Sequence, residues 1–224
     1  MEEKNKSILT IHQKKILDLI CEEKYFTDIY YLAGGTALAE FYLKHRISED
    51  LDFFIEKEEV DSVAITRFFE KNKNKLKIKS FETKKVLGLF SLFFNFEDGE
   101  KLKVDFNYYP FPLIDKCLKY KSLKIESIYD IAVDKVHTVV LNPRARDFID
   151  IYFIIKEKKY SFDDLIMKAK AKFDWHISAV ELGARFLQAA ELKDYPRMIK
   201  KIDHREWKQF FIDYAISLKK QIFK

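Results

Sequence analysis

The chain is poor in the residues that build metal clusters and disulfide frameworks. Only two cysteines occur among 224 residues, Cys21 and Cys117, and they lie far apart without neighbouring metal ligands. The five histidines are scattered, and no two of them have the spacing of a metal-binding pair on a helix. These absences argue against a disulfide scaffold and a Cys/His metal site, and they favour free thiols in a reducing cytoplasm.

Long apolar runs are also missing. No stretch approaches the roughly eighteen apolar residues of a membrane-spanning helix, and the N-terminus, Met-Glu-Glu-Lys-Asn-Lys, is unlike a secretory signal. No internal repeat or low-complexity segment is visible. With 48% hydrophobic and 16% aromatic residues, the chain can bury a sizeable core. Composition therefore predicts a globular, cytoplasmic protein with no membrane partner.

Charge is distributed unevenly along the chain. Residues 1–69 carry 9 Lys+Arg against 14 Asp+Glu, whereas residues 70–224 carry 32 against 22. In the basic part, Lys75, Lys77 and Lys79 alternate with apolar residues, which predicts a half-buried strand with a cationic face. Such a face either follows a phosphate backbone or prevents an edge strand from pairing with other chains.

Three aspartates form a candidate metal site. In the predicted strand Leu51 to Ile55, side chains alternate between faces, so Asp50 and Asp52 project to the same side. A third carboxylate, Asp105, lies on the polar face of a later alternating strand. Magnesium prefers hard oxygen ligands and is usually held by one or two carboxylates together with substrate phosphates. The pattern therefore predicts a site for Mg²⁺ or Mn²⁺.

A glycine turn precedes the first of these strands. It consists of Gly34-Gly35-Thr36 and follows an apolar run typical of a strand. Glycine lets a ligand approach the backbone closely, and the N–H groups at the start of a following helix, predicted from Ala37 to Lys44, face an anion. The turn is therefore a candidate binding site for the phosphates of a nucleotide.

A second group of charged residues lies on two predicted helices after residue 126. Lys135 falls within the apolar stripe of the first helix, so it either extends to solvent or meets an anion such as a triphosphate. Asp147 and Asp150 lie on the apolar side of the second helix, where at least one of them is expected to meet Lys135 or the catalytic face. The alternative for Asp150 is a helix-surface ion pair with Arg146.

These patterns together resemble the nucleotidyltransferase superfamily that includes DNA polymerase beta. The segment GGTALAEFYLKHRISEDLDFF, residues 34–54, is similar to the signature of the AbiEii/AbiGii toxin family of bacterial nucleotidyltransferases. A second segment, DIAVDKVHTVVLNPRARDFIDIYFI, resembles the later motifs of that family, in which a Lys and an Asp on successive helices approach the nucleotide. Thr36 replaces the serine of the superfamily's usual Gly-Ser opening, and the longer spacing to Asp-x-Asp implies a longer helix.

The resemblance implies an α+β fold with two domains. Residues 1–112 would form a nucleotidyltransferase-type mixed sheet with flanking helices, and residues 113–224 a helical domain that completes the active-site cleft. The implied reaction is magnesium-dependent transfer of a nucleoside monophosphate from an NTP to a hydroxyl, with release of pyrophosphate. The implied acceptor is RNA, such as the 3′ end of tRNA, and the protein would be the toxin of a type IV pair with an AbiEi-like antitoxin encoded nearby.

The resemblance also implies roles for particular residues. Catalytic roles fall to Asp50, Asp52, Asp105, Lys135 and Asp150, and the three residues Asp50, Asp52 and Asp105 would bind the metal. Nucleotide binding falls to Gly34, Gly35, Thr36, Arg46, Ser48, Lys135 and Asp147. For Arg46 the rival role is to brace the loop by hydrogen bonds.

Two other functions remain open from the sequence. One is a nucleotidyltransferase of the same fold that acts on a small molecule, such as an aminoglycoside, or on a protein hydroxyl. The other is a nucleotide- or RNA-binding module without turnover, against which the presence of all three aspartates argues.

Overall fold

The computed structural model describes residues 7–222, which form two compact units. Within this range, the first unit contains residues 7–42 and 48–127, and the second contains residues 43–47 and 128–222. The short segment Leu43–Ile47 thus belongs to the second unit, although the residues on both sides of it belong to the first. In the described part of the chain, no helix is long and apolar enough to cross a membrane.

A seven-stranded mixed sheet forms the centre of the first unit. Its strands are β1 (Tyr31–Ala33), β2 (Leu51–Ile55), β3 (Ile78–Val86), β4 (Leu89–Phe96), β5 (Lys101–Tyr108), β6 (Leu118–Tyr120) and β7 (Leu123–Ile125). Their order in space is β3-β4-β5-β2-β1-β7-β6. Strand β2 is parallel to β5 and β1 is parallel to β7, whereas the other neighbouring pairs are antiparallel.

Helices of the first unit supply aromatic side chains to one face of this sheet. They are α1 (Ile11–Glu22), α2 (Lys24–Ile29), α3 (Gly34–Leu38), α4 (Ser62–Lys71) and α5 (Lys73–Leu76), and a π-helical segment, Ala39–Leu43, follows α3. Phe26 of α2 and Phe69 of α4 contact Phe106 of β5, which stacks on Phe53 of β2. Because strand side chains alternate between faces, the residues next to Phe53 and Phe106 point to the opposite face, and two of them are aspartates.

Local sequence explains where several elements begin and end. Thr10 and Gln13 form a capping box at the start of α1, and the Asp61 carboxylate accepts hydrogen bonds from two backbone N–H groups at the start of α4. Lys77 has a left-handed backbone, with φ of 58°, and ends α5 just before β3 begins.

The second unit is helical. Its helices are α6 (Ile128–Leu141), α7 (Ala145–Lys158), α8 (Phe162–Lys172), α9 (Ala179–Leu187), α10 (His204–Ser217) and α11 (Lys219–Ile222), with a 3₁₀ turn at Gln188–Ala190. Trp207 and Phe211 of α10 are fully buried against Phe148 of α7. The Asn142-Pro143 pair separates α6 from α7, as the sequence predicts.

The α+β class predicted from the sequence is confirmed, and strand β2 has the predicted bounds. The prediction of a cationic strand face is wrong. Lys75 lies in α5 and pairs with Glu22 at 3.1 Å, and Lys77 is the left-handed residue after that helix, so only Lys79 belongs to β3. Strands β6 and β7 were not predicted, and they place residues 118–125 in the first unit.

Candidate active site

The register of the sheet brings two of the three predicted metal ligands side by side. Strand β2 pairs with β5 so that Asp52 is the direct neighbour of Asp105, and Asp50 lies just before β2 on the same face as Asp52. Adjacent residues in register project from the same face of a sheet. The predicted carboxylates are thus collected from two strands that are more than fifty residues apart in the chain.

Asp105 has a carboxylate oxygen with unused bonding capacity. The residue is 6% exposed; its Oδ2 lies 2.5 Å from the Lys103 Nζ, whereas the buried Oδ1 has no hydrogen-bond partner. A buried carboxylate oxygen without a donor is unfavourable unless a cation or donor meets it when substrate binds. Within residues 7–222, no group of three or more His, Cys, Asp and Glu side chains is arranged to hold a metal ion. The adjacent Asp52 and Asp105 provide two carboxylates, which is the number that magnesium usually takes from a protein when substrate phosphates supply its other ligands.

Gly34 lies against the Asp52 carboxylate. Its φ is +69°, and a Cβ at this position would lie 3.0 Å from the Asp52 Oδ2. Both the backbone conformation and the space therefore require glycine here. Helix α3 begins at Gly34 rather than after Thr36, so the turn itself forms the first residues of the helix.

The buried hydroxyl of Thr36 donates a hydrogen bond to the backbone carbonyl of Asp50. This bond ties the glycine turn to the residue that opens the Asp-x-Asp pattern, so the Thr36 hydroxyl fixes the position of the carboxylates. Glu126 is a further buried acid at this place, and its Oε2 accepts from the Gly34 N–H at 3.4 Å. Glu126 was not predicted, because a single acid after a three-residue strand carries no recognisable pattern.

The face that carries the aspartates continues to the edge of the sheet. Registers across neighbouring strands align Asp52, Asp105, Ser91 and Lys84 in one row from β2 to β3. Phe93, which is 39% exposed, is one pleat away on the same face and is the direct neighbour of Lys103. An exposed aromatic ring and lysines thus lie on the same face as the carboxylates.

The residues of the second predicted group meet in the second unit. The Lys135 ammonium is 2.9 Å from the Asp150 carboxylate and also donates to Asp147, while the Asp147 carboxylate accepts from the Arg144 Nε at 2.8 Å. Both aspartates are fully buried and Lys135 is 8% exposed. The structure therefore brings Lys135 together with both candidate aspartates, and the burial of Asp150 contradicts a pairing on the helix surface.

Arg46 and His45 complete this cluster. The Arg46 guanidinium donates two hydrogen bonds to the Asp150 carboxylate, from Nε at 2.7 Å and from Nη2 at 2.8 Å. The His45 Nε2 is 2.8 Å from the same carboxylate. This geometry matches the bracing role that the sequence left open for Arg46. Three cations, Arg46, Lys135 and Arg144, thus contact the two carboxylates of Asp147 and Asp150.

The pKa shifts of the cluster follow from burial and charge. Burial by itself raises the pKa of Asp150, but the charges of Arg46 and Lys135 hold it well below its usual range. Burial by itself lowers the pKa of Lys135, and the two aspartates outweigh this and raise it. For His45, burial prevails over the hydrogen bond to Asp150 and lowers the pKa. At neutral pH the network thus contains a charged Asp150, a charged Lys135 and a neutral His45.

Backbone hydrogen bonds hold the same segment in place. The Ile47 N–H donates to the Arg197 carbonyl at 2.8 Å, and the Ile199 N–H donates to the His45 carbonyl at 2.8 Å. A β-bridge joins Arg46 to Met198. These contacts fix a segment that ends three residues before Asp50. Ser48, another predicted nucleotide-binding residue, accepts a hydrogen bond from the Gln13 side chain through its backbone carbonyl in the first unit.

Comparison with known proteins places this geometry in a family. An uncharacterised protein of Aquifex aeolicus is 32% identical over 147 residues, which are 64% of this chain and 66% of that protein. Two Helicobacter pylori crystal structures share the fold. JHP933 has a TM-score of 0.54 and is 19% identical, and the match covers 93% of this chain and 90% of JHP933. The other, a putative nucleotidyltransferase, has a TM-score of 0.59 and is 20% identical, and the match covers 95% of this chain and 97% of that protein.

Residues 18–221 match the family described as nucleotidyl transferase AbiEii toxin of type IV toxin–antitoxin systems. This match spans both units, and it includes the glycine turn, the three aspartates and the buried cluster. The family and the enzyme class that the sequence predicts are confirmed. The chain belongs to the AbiEii family of nucleotidyltransferase toxins.

Proposed function

We propose that this protein transfers a nucleoside monophosphate from an NTP to a hydroxyl group of RNA, with Mg²⁺, and that it acts in the cytoplasm as a toxin with a cognate antitoxin. The observation that carries the proposal is the pairing of Asp52 with Asp105 in neighbouring strands, with Gly34 in close contact with Asp52. This arrangement offers carboxylates to a divalent cation beside a turn of close backbone approach.

In the proposed reaction, the acceptor oxygen attacks the α-phosphorus of the NTP and the bond to the β-phosphate oxygen breaks, which releases pyrophosphate. Asp50 and Asp52 would hold the metal, which supplies positive charge to the phosphates. Asp105 would help to bind the metal, orient the acceptor hydroxyl and take up its proton. The backbone of Gly34 and Gly35 leaves room for the phosphates.

Lys135 would contribute a positive charge to nucleotide binding. An ammonium group has three N–H donors, and Asp147 and Asp150 engage two of those of Lys135. The third would be available to a phosphate oxygen. In this proposal Asp150 and Asp147 hold the Lys135 ammonium in place, and Arg46 fixes Asp150.

The acceptor would lie along the face of the sheet that carries the aspartates. Lys84 is three strands from Asp52 in the same row, which corresponds to about 14 Å. The exposed ring of Phe93 offers a stacking surface for a base, and base–aromatic stacking tolerates any sequence. A lysine and an aromatic ring on this face support RNA over a compact small molecule.

The decisive experiment incubates the protein with each labelled NTP, Mg²⁺ and total RNA. We expect one NTP to label an RNA band, and we expect Asp52→Asn to remove the label while its circular dichroism spectrum stays that of the wild type. The carboxamide keeps the shape of the side chain and loses its charge. Label in the protein or in a small-molecule fraction would show that the acceptor is a protein or a small molecule and not RNA. If no NTP gave any label, the proposed transferase activity would be rejected.

A further inference from the structure

Lys103 lies among the acidic residues of the candidate metal site. It is in β5, two residues before Asp105 and on the same face, and its ammonium is 2.5 Å from the Asp105 Oδ2. The side chain of Asp105 is only 9% exposed and that of Lys103 is 34% exposed. The contact is therefore not a freely solvated surface ion pair, because one of its partners is almost completely removed from water.

A second carboxylate lies beside this pair. Asp52 of β2 is the direct neighbour of Asp105 in β5, and adjacent residues in register project from the same face of the sheet, which also carries Lys103. The ammonium thus lies on the same face as two of the candidate metal ligands. Lys101, which shares the face and is exposed at the start of the strand, provides a comparison residue.

A bound metal ion and the Lys103 ammonium would compete for the same carboxylate. Magnesium needs oxygen ligands in close, nearly octahedral geometry, and the Asp105 oxygen nearest to Lys103 is engaged by a hydrogen bond. A divalent ion on this oxygen would have to displace the ammonium, and an ion on the partnerless Oδ1 would share the carboxylate with the ammonium and be repelled by its charge. A nearby triphosphate would offer the displaced ammonium a new anionic partner.

We propose that Lys103 is a positioning residue that serves as the resident counter-cation of the carboxylate site and lowers the affinity for a free divalent ion. It keeps the buried Asp105 charge balanced in the metal-free protein, and it favours entry of the metal together with a nucleotide. This inference rests on the proposed metal-dependent function.

The test measures binding of Mn²⁺ alone, by electron paramagnetic resonance, to the full-length wild type and to Lys103→Met, Lys103→Arg and Lys101→Met. Methionine keeps the length of lysine without its charge, so Lys103→Met should bind Mn²⁺ about tenfold more tightly than the wild type, within the usual range of coupling between sites. Lys103→Arg retains the charge and should bind like the wild type, as should Lys101→Met.

Equal or weaker Mn²⁺ binding by Lys103→Met, in a protein with a wild-type circular dichroism spectrum, would overturn the proposal. Tighter binding by Lys103→Arg and by Lys101→Met to the same degree would also overturn it, because the effect would then not depend on the charge at residue 103. The proposed function is judged separately, by whether wild-type protein labels RNA in a manner that requires Asp52. Labelled RNA with unchanged Mn²⁺ affinity would leave that function standing and remove the role of Lys103.

Discussion

Replacing Asp150 by asparagine should destabilise the second unit more than any other single change in the buried cluster. The Asp150 carboxylate is fully buried and is contacted by Arg46, His45 and Lys135. Asparagine removes the negative charge and presents an NH₂ group to these donors. Arg46, which is 3% exposed, would lose the carboxylate that accepts two of its hydrogen bonds.

The size of the effect follows from the partners that remain. Breaking a buried ion pair from one side typically costs about 3–5 kcal/mol, because the other charge stays buried without compensation. Lys135→Met is the informative contrast, since Asp147 keeps Arg144 and Asp150 keeps Arg46 after that change. We expect it to cost less, about 1–2 kcal/mol, because the charges left in the cluster are balanced and only the desolvation of the remaining groups changes.

Thermal and urea denaturation, followed by circular dichroism, measure both variants. For a chain of this length, about 3–5 kcal/mol corresponds to a fall in Tm of roughly 6–20 °C for Asp150→Asn. Asp174→Asn, whose side chain is 98% exposed, is the matched control and should unfold like the wild type. A wild-type Tm for Asp150→Asn would refute the assignment of a stabilising network.

Transfer activity per folded molecule, measured on Lys135→Met, then tests the role of the ammonium in nucleotide binding. Normal activity would leave Lys135 with a structural role.

Three further predictions concern the glycine turn, the acceptor surface and pH. Gly34→Ala should sharply reduce transfer in the RNA-labelling assay, because its Cβ would lie 3.0 Å from the Asp52 Oδ2. Gly99 also has a positive φ, but no atom lies within 4 Å of a Cβ there, so Gly99→Ala should lose some stability and keep its activity. Equal losses of activity would show that the effect does not depend on contact with the Asp52 carboxylate. Lys84→Gln should flatten the dependence of RNA affinity on salt, measured by filter binding, by about 0.7 in log–log slope, since one phosphate contact to a single strand is lost. Lys85→Gln, on the opposite face of β3, should leave that slope unchanged, so an equal effect of both changes would place the RNA elsewhere. The free energy of unfolding should fall as the pH decreases below about 6.5. The unfolded state then protonates His45, whereas burial in the folded state lowers the pKa of His45 and opposes its protonation. Urea titrations of His45→Gln should show a shallower fall between pH 7 and 5, and an unchanged pH profile would contradict this assignment.

The sequence was most informative where a pattern is local. Strand β2 could be predicted because its buried and part-exposed residues alternate over five positions, and the relation of Asp50 to Asp52 follows from that alternation alone. The same argument failed for Lys75 and Lys77. Alternation over a few residues cannot distinguish a strand from one turn of helix, and the left-handed conformation of Lys77 has no signal in a lysine.

The partners of Asp150 show the opposite limit. The resemblance places Asp150 near a lysine, and its position on the apolar side of α7 predicts burial. Its bidentate partner, however, lies 104 residues earlier in the chain. Among 41 lysines and arginines, no spacing rule selects Arg46, because the pairing depends on how the chain folds between the two residues. The role of Arg46 as a brace therefore became clear only from the structure.

The placement of residues 43–47 means that the protein cannot be divided by a single cut. A fragment that ends at residue 127 would carry His45 and Arg46 away from Asp150. It would also leave Arg197 and Ile199, the backbone partners of Ile47 and His45, on the other piece. The complementary fragment would contain a fully buried acid without its guanidinium. Recombination that exchanged the sheet-containing part between relatives would therefore have to transfer the Leu43–Ile47 segment together with the residues that contact it, Asp150 and residues 197–199.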